Sequence, residues 1–222
     1  LDDVRQVAIF SNKTVAENLG VPQSAGVTCV KPSGTVSQLV DAASGIHPRH
    51  SAQYIRTVRA DNKDPLCQFM IDRQFPSEPC AMKPDKVTVF SFPVESPKGS
   101  TTRNDMSALD QLELWLVYQR YWCEHKPSIT VTVRENEWMD VGAWVWDHLD
   151  SISGISFLPH SDHIYQQAPY QEVTRGEYEA LVREMPEGID WSDLRFYEHE
   201  DTTTSSHTLA CSGGNCEVVD LT

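Results

Sequence analysis

Apolar positions along the chain recur with two periods. At helical spacing they run through residues 1–19, where Val4, Val7, Ala8, Val15 and Leu19 recur and Gly20 supplies a stop. The same spacing returns in 64–75, with Leu66, Phe69 and Met70 inward, and in 105–124, with Leu109, Leu112, Trp115, Leu116 and Trp122 as a stripe. Residues 135–149 and the segment from Arg175 through Tyr178, Leu181 and Met185 complete the set. Short β-branched or alternating runs lie between them, at 27–30, 54–59, 87–93, 128–133 and 152–158. Strands alternating with helices of this length predict an α/β fold of βαβ units with mostly parallel pairing. Arg56 and Arg59 fall on one edge of the second strand, where they suit either solvent or a phosphate.

One stretch, TCVKPSGTVSQLVDAASGIHP at 28–48, packs a strand, a tight turn and a helix start into a few residues. Lys31-Pro32-Ser33-Gly34 breaks the strand, because Pro32 fixes φ and Gly34 permits a close approach that a side chain would block. A helix is expected next, capped by Ser33 or Thr35, carrying Val36, Leu39, Val40 and Ala43 on one face and ending at Gly45. Its first turn would present unpaired N–H groups and the hydroxyls of Ser33, Thr35 and Ser37, which suit a phosphate. The candidate anion site is therefore Ser33, Gly34, Thr35, Val36 and Ser37. The pattern is not a GxxxxGK[ST] loop, and an ordinary strand–turn–helix with capping hydroxyls fits it too.

Composition narrows the function classes. With 222 residues, 40% hydrophobic and 23% charged, the chain can bury a globular core. A formal net charge of -14 argues against a nucleic-acid or anionic-membrane surface, so a bound phosphate must be held by local geometry. No apolar run suggests a signal peptide or membrane span, which with the sparse cysteines favours the cytoplasm. The six cysteines stand at 29, 67, 80, 123, 211 and 216. Cys67 and Cys80 lack partners at metal-ligand spacing and read as structural thiols. Cys211 and Cys216 enclose Ser-Gly-Gly-Asn in a Thr/Ser/Gly-rich arm, a pliable loop able to form a disulfide or serve thiol exchange. Zinc is the rival ligand, but two cysteines do not complete four-coordinate geometry. The start at Leu1, within a helical pattern, suggests a piece of a longer chain: 1–200 as one α/β portion and 201–222 as a flexible tail.

The wording KPSGTVSQLVDAASGIHPRHS, followed by EHKPSITVTV at 124–133, FLPHSDHIYQQAPYQEVT at 157–174 and CSGGNCE at 211–217, resembles the adenosylcobalamin-dependent (class II) ribonucleotide reductases, most closely their monomeric ribonucleoside-triphosphate reductase type. The resemblance implies the closing βα units of a ten-stranded α/β barrel, a carboxyl-terminal part that supplies the substrate-phosphate loop, and a flexible cysteine tail. It gives Cys211 and Cys216 the role of a shuttle that re-reduces the active site and is itself recharged by a thioredoxin-like protein. It implies a ribonucleoside di- or triphosphate substrate, adenosylcobalamin as cofactor, and thiyl-radical reduction to the deoxyribonucleotide for DNA synthesis. The radical-bearing cysteine of that family belongs to an earlier loop, and neither Cys29 nor Cys123 stands in for it, so catalysis requires an amino-terminal part. Class I reductases carry a Tyr-Tyr pair where this sequence has Phe157-Leu158, which favours the cobalamin branch. By the same resemblance His160, His163 and Tyr165 become candidates for cofactor contact, in a polar loop directly after a strand. A metal on His160 and His163 lacks a third ligand. The reading from a different class is a noncatalytic phosphate- or nucleotide-binding module with a redox-sensing tail.

Overall fold

The lengths of the connections decide how the strands pair. In chain order the elements are α1 (Asp2–Leu19), α2 (Val36–Leu39), β1 (Gln53–Asp61), α3 (Pro65–Asp72), β2 (Ser77–Pro79), β3 (Val87–Glu95), α4 (Ala108–Tyr121), β4 (Ser128–Val133), a 3-10 turn (Glu135–Glu137), α5 (Trp138–Asp147), β5 (Gly154–Pro159), β6 (Tyr170–Glu172), α6 (Arg175–Glu184) and a second 3-10 stretch (Trp191–Phe196). The computed structural model describes residues 1–34, 36–160 and 166–198. β4 has 6 residues and spans roughly 20 Å. The 3-residue turn and the 10-residue α5 carry the chain back by roughly 21 Å. A parallel crossover therefore closes, with Ile129 beside Ile155 and Val131 beside Phe157. β1 has 9 residues and spans roughly 30 Å, whereas the 8-residue α3 returns only roughly 12 Å. β3 consequently runs antiparallel to β1, from Gln53 opposite Glu95 to Asp61 opposite Val87.

The expectation of mostly parallel pairing holds for β4 and β5 alone. The other sheet, in order β2-β3-β1-β6, is antiparallel at every contact. Its short outer strands β2 and β6 went unseen in the sequence because three residues carry no period.

The chain divides into two compact units, Leu1–Arg49 with Thr101–Ser161, and His50–Ser100 with Asp162–Leu209, each in its described part. In the first unit Ser107 and Asp110 form a reciprocal cap at the start of α4, which sets the helix face. Leu112, Trp115 and Leu116 then pack on Ile129, Val131 and Val133 of β4 and on Val141 and Trp144 of α5. Each large side chain buried here contributes roughly 1.5–3 kcal/mol. α1 forms as its period predicts and ends on Gly20, but its stripe is not packed: Val4, Val7, Val15 and Leu19 are exposed and Ala16 alone is buried.

In the second unit the Asp64 carboxylate accepts from Leu66 N–H and starts α3 at Pro65. Cys67, Phe69 and Met70 face inward with Phe75 and Phe90. Leu66, expected inward, is instead 39% exposed, and Cys67 takes the core position as a structural thiol. The Trp191–Phe196 stretch closes this core: Trp191 lies 5.4 Å from the Phe69 ring, and Arg73 pairs with Asp193. Among the described residues no helix is long and apolar enough to cross a membrane.

Candidate functional site

Residues 27–30 do not form the predicted strand. Their backbone docks on the end of α4 instead: the Glu124 carboxylate accepts from Val27 N–H at 2.8 Å and from Thr28 N–H at 3.1 Å. In return Glu124 N–H donates to Thr28 O at 3.0 Å and Trp122 Nε1 donates to Cys29 O at 3.3 Å. The bond from Val27, then those from Thr28, hold the Glu124 carboxyl below its ordinary range. A β-branched run favours a strand, but which partner satisfies its backbone is a tertiary matter.

The loop that follows is closed on itself by three serines. Ser33 N–H donates to Ser44 Oγ at 2.8 Å, and Ser44 Oγ donates to Ser33 O at 2.9 Å. Ser37 N–H donates to Ser33 Oγ at 2.9 Å, the cap expected of Ser33, while Ser37 Oγ donates to Ser33 O at 3.1 Å. Ser33 Oγ keeps its own proton for another acceptor. Among the described residues none accepts from the N–H of Gly34 or Val36. The expected helix to Gly45 is a correction: α2 is 4 residues long. Val36, Leu39 and Val40, assigned to an inward face, are 65%, 85% and 64% exposed, because a single turn has no second turn to build a buried stripe. Lys31 Nζ donates to Ser128 Oγ at 2.9 Å, which ties the loop entrance to the start of β4.

The edge of β4 away from β5 is covered. Ser128 N–H donates to Val30 O at 3.3 Å, Thr130 N–H to His47 Nε2 at 2.9 Å and Thr132 N–H to Gln111 Oε1 at 3.2 Å. Gln111 Nε2 also donates to Thr132 O at 3.3 Å. None of these edge partners was singled out from the sequence; a buried Gln on the apolar face of α4 was the available signal.

His47 accepts on Nε2, so its proton sits on Nδ1, which donates to Ser44 O at 2.7 Å. Burial pushes the imidazole below its ordinary value, opposed by the Ser44 bond. The neutral form is the folded form. Its contribution to stability is complete above the unfolded-state value of about 6.5 and is lost as pH falls from there towards the lower folded-state value. Thermal unfolding of this unit should therefore shift down by a few degrees between about pH 7.5 and about pH 5.5. His47→Gln can keep both neutral hydrogen bonds and should flatten that shift. Equal slopes in the two proteins would remove His47 as its source.

Arg56 is half-buried, whereas Arg59 is exposed as a solvated edge charge would be. Arg56 Nη1 donates to Pro169 O at 3.1 Å and its guanidinium lies 4.4 Å from the Tyr170 ring, while Arg59 Nη2 donates to Gln167 O at 3.0 Å. They brace the approach to β6. His160, at the end of β5, donates its backbone N–H to Val133 O at 2.7 Å. Thr35, His163, Tyr165, Cys211 and Cys216 lie outside the described residues. Among the described residues no group of three His, Cys, Asp or Glu side chains could hold a metal ion.

No family model matches the chain. Relatives do. A Euglena gracilis protein named adenosylcobalamin-dependent ribonucleoside-triphosphate reductase is 30% identical over 204 residues, which is 91% of this chain and 28% of that protein. The protein of the same name from Lactobacillus delbrueckii subsp. bulgaricus (strain ATCC BAA-365 / Lb-18) is 27% identical over 229 residues, covering 98% of this chain and 30% of the relative. This chain is a sequence relative of the adenosylcobalamin-dependent ribonucleotide reductases. It spans 28% and 30% of the length of these two reductases. A crystal structure of a B12-dependent (class II) ribonucleotide reductase matches with a TM-score of 0.74 at 23% identity, over 91% of this chain and 28% of that one, and shows that the mixed α/β fold is shared.

Proposed function

We propose that this chain is the carboxyl-terminal part of an adenosylcobalamin-dependent ribonucleotide reductase, holding the phosphate of a ribonucleoside di- or triphosphate on the loop of Ser33, Gly34, Thr35, Val36 and Ser37. The observation that carries the reading is the serine-closed loop, which leaves the N–H groups of Gly34 and Val36 without an acceptor among the described residues. The sequence relatives support it. In a chain of net charge -14, fixed N–H groups can hold an anion where a basic field cannot. On this reading the chain supplies the closing βα units of a ten-stranded α/β barrel whose remainder comes from an amino-terminal part. Cys211 and Cys216 then return electrons from a thioredoxin-like protein to the active site.

Adenosylcobalamin would supply the radical that starts the chemistry of the whole enzyme. Of the residues assigned to its side only His160 is described, and one imidazole does not define a corrin site.

The test is made in the full-length enzyme. Each charge-assisted bond to the phosphate contributes roughly 1.5–3 kcal/mol, so Thr35→Ala should raise the apparent KM about ten- to a hundredfold with little change in melting temperature. Gly34→Val should raise it further by blocking the close approach. A lowered melting temperature with unchanged KM would leave the loop as a structural cap.

A further inference from the structure

Cys29 and Cys123 stand on the two backbone segments that meet at the end of α4. Glu124 N–H and His125 N–H both donate to Thr28 O, at 3.0 and 3.4 Å, and Trp122 Nε1 reaches Cys29 O at 3.3 Å. Cys29 is thus held against Trp122 and His125, which flank Cys123 and Glu124 in the chain. A disulfide needs the two Cα atoms within roughly 4.4–6.8 Å. The Cys29 thiol is turned over that junction, donating to His125 O at 3.4 Å and approaching Lys126 O at 3.7 Å. The Cys123 sulfur accepts from Val30 N–H and touches the Cys29 thiol.

We propose that Cys29 and Cys123 form a thiol pair that closes to a disulfide by exchange with a small-molecule disulfide such as oxidised glutathione, clamping the entrance of the Ser33–Ser37 loop onto the end of α4. Cys29 is exposed and Cys123 half-buried, so the order of attack is set. Burial raises the Cys123 thiol above its ordinary value, which disfavours it as the first nucleophile. The Cys29 thiolate attacks one sulfur of the oxidant and expels the first glutathione thiolate, leaving a mixed disulfide. The Cys123 thiolate then attacks Cys29 Sγ and expels the second. Two protein thiols are oxidised to one disulfide and one glutathione disulfide is reduced to two thiols, the two protons lost by the protein being taken up by the expelled glutathione thiolates. The pair needs neither the tail cysteines nor the reductase reading.

The experiment uses the full-length protein that carries this chain, reduced, exposed to oxidised glutathione under native conditions, alkylated and mapped by mass spectrometry. A Cys29–Cys123 linked peptide is expected, while Cys67 and Cys80, buried in the other unit, stay alkylatable thiols. In Cys123→Ser, glutathione should remain on Cys29. The oxidised wild type should melt at least about 5 °C above its reduced form, a gain that Cys123→Ser lacks. Glutathione retained on Cys29 in the wild type, Cys29 joined to another cysteine, or a link that forms only after denaturation would each overturn the proposal.

Discussion

Gly45→Val is expected to destabilise the unit that carries the serine loop by about 2–5 kcal/mol. Two costs add. Gly45 has φ +59°, a left-handed conformation that costs a side-chain-bearing residue roughly 1–2 kcal/mol. A Cβ there would also stand 2.9 Å from Lys31 O, 3.2 Å from Lys31 C and 3.4 Å from Val30 Cγ1. The first two are backbone atoms of the loop entrance and cannot swing aside, so relief requires moving Lys31 away from Ser128; overpacking of this kind costs typically about 1–3 kcal/mol. Gly45→Asn separates the terms, since asparagine tolerates the left-handed region but brings the same Cβ. It should recover part of the loss and no more. Denaturant unfolding of the three proteins measures this, and a Gly45→Val stability within about 0.5 kcal/mol of wild type would show that the loop entrance yields freely. If the serine loop binds phosphate, the folded fraction of Gly45→Val should also bind nucleotide more weakly, because Lys31 leads directly into Ser33.

Cys211→Ser in the full-length enzyme is expected to abolish turnover with thioredoxin while leaving turnover with dithiothreitol close to wild type. The expectation follows from the proposed shuttle. A protein reductant is too large to enter a closed active site and needs a mobile pair to carry its electrons, whereas a small dithiol reaches the site itself. Cys216→Ser should behave in the same way, because exchange needs both sulfurs. Activity with thioredoxin near the wild-type rate would refute the shuttle, and equal loss with both reductants would place Cys211 in the chemistry.

Local chemistry made much of both units legible. The β4 limits read from the sequence match the structure, since an alternating β-branched run bounded by Pro127 and Arg134 leaves no other register. α1 and its Gly20 stop, the α3 start at Asp64-Pro65 and the stripe of α4 follow from period and capping, which act within a few residues. The candidate loop was found by its hydroxyls and Gly34, and the Ser33 cap is where that chemistry placed it.

Tertiary structure decided what those elements bond to. Strand direction depended on comparing the length of α3 with that of β1, a comparison that requires both boundaries at once. The outward Val36, Leu39 and Val40, the bracing of Arg56 and Arg59 against Pro169 and Gln167, and the sealing of β4 by His47 and Gln111 join residues far apart in sequence. A hydrogen-bonding group in the chain states only that it needs a partner; three-dimensional proximity selects which one, and no periodicity encodes that choice.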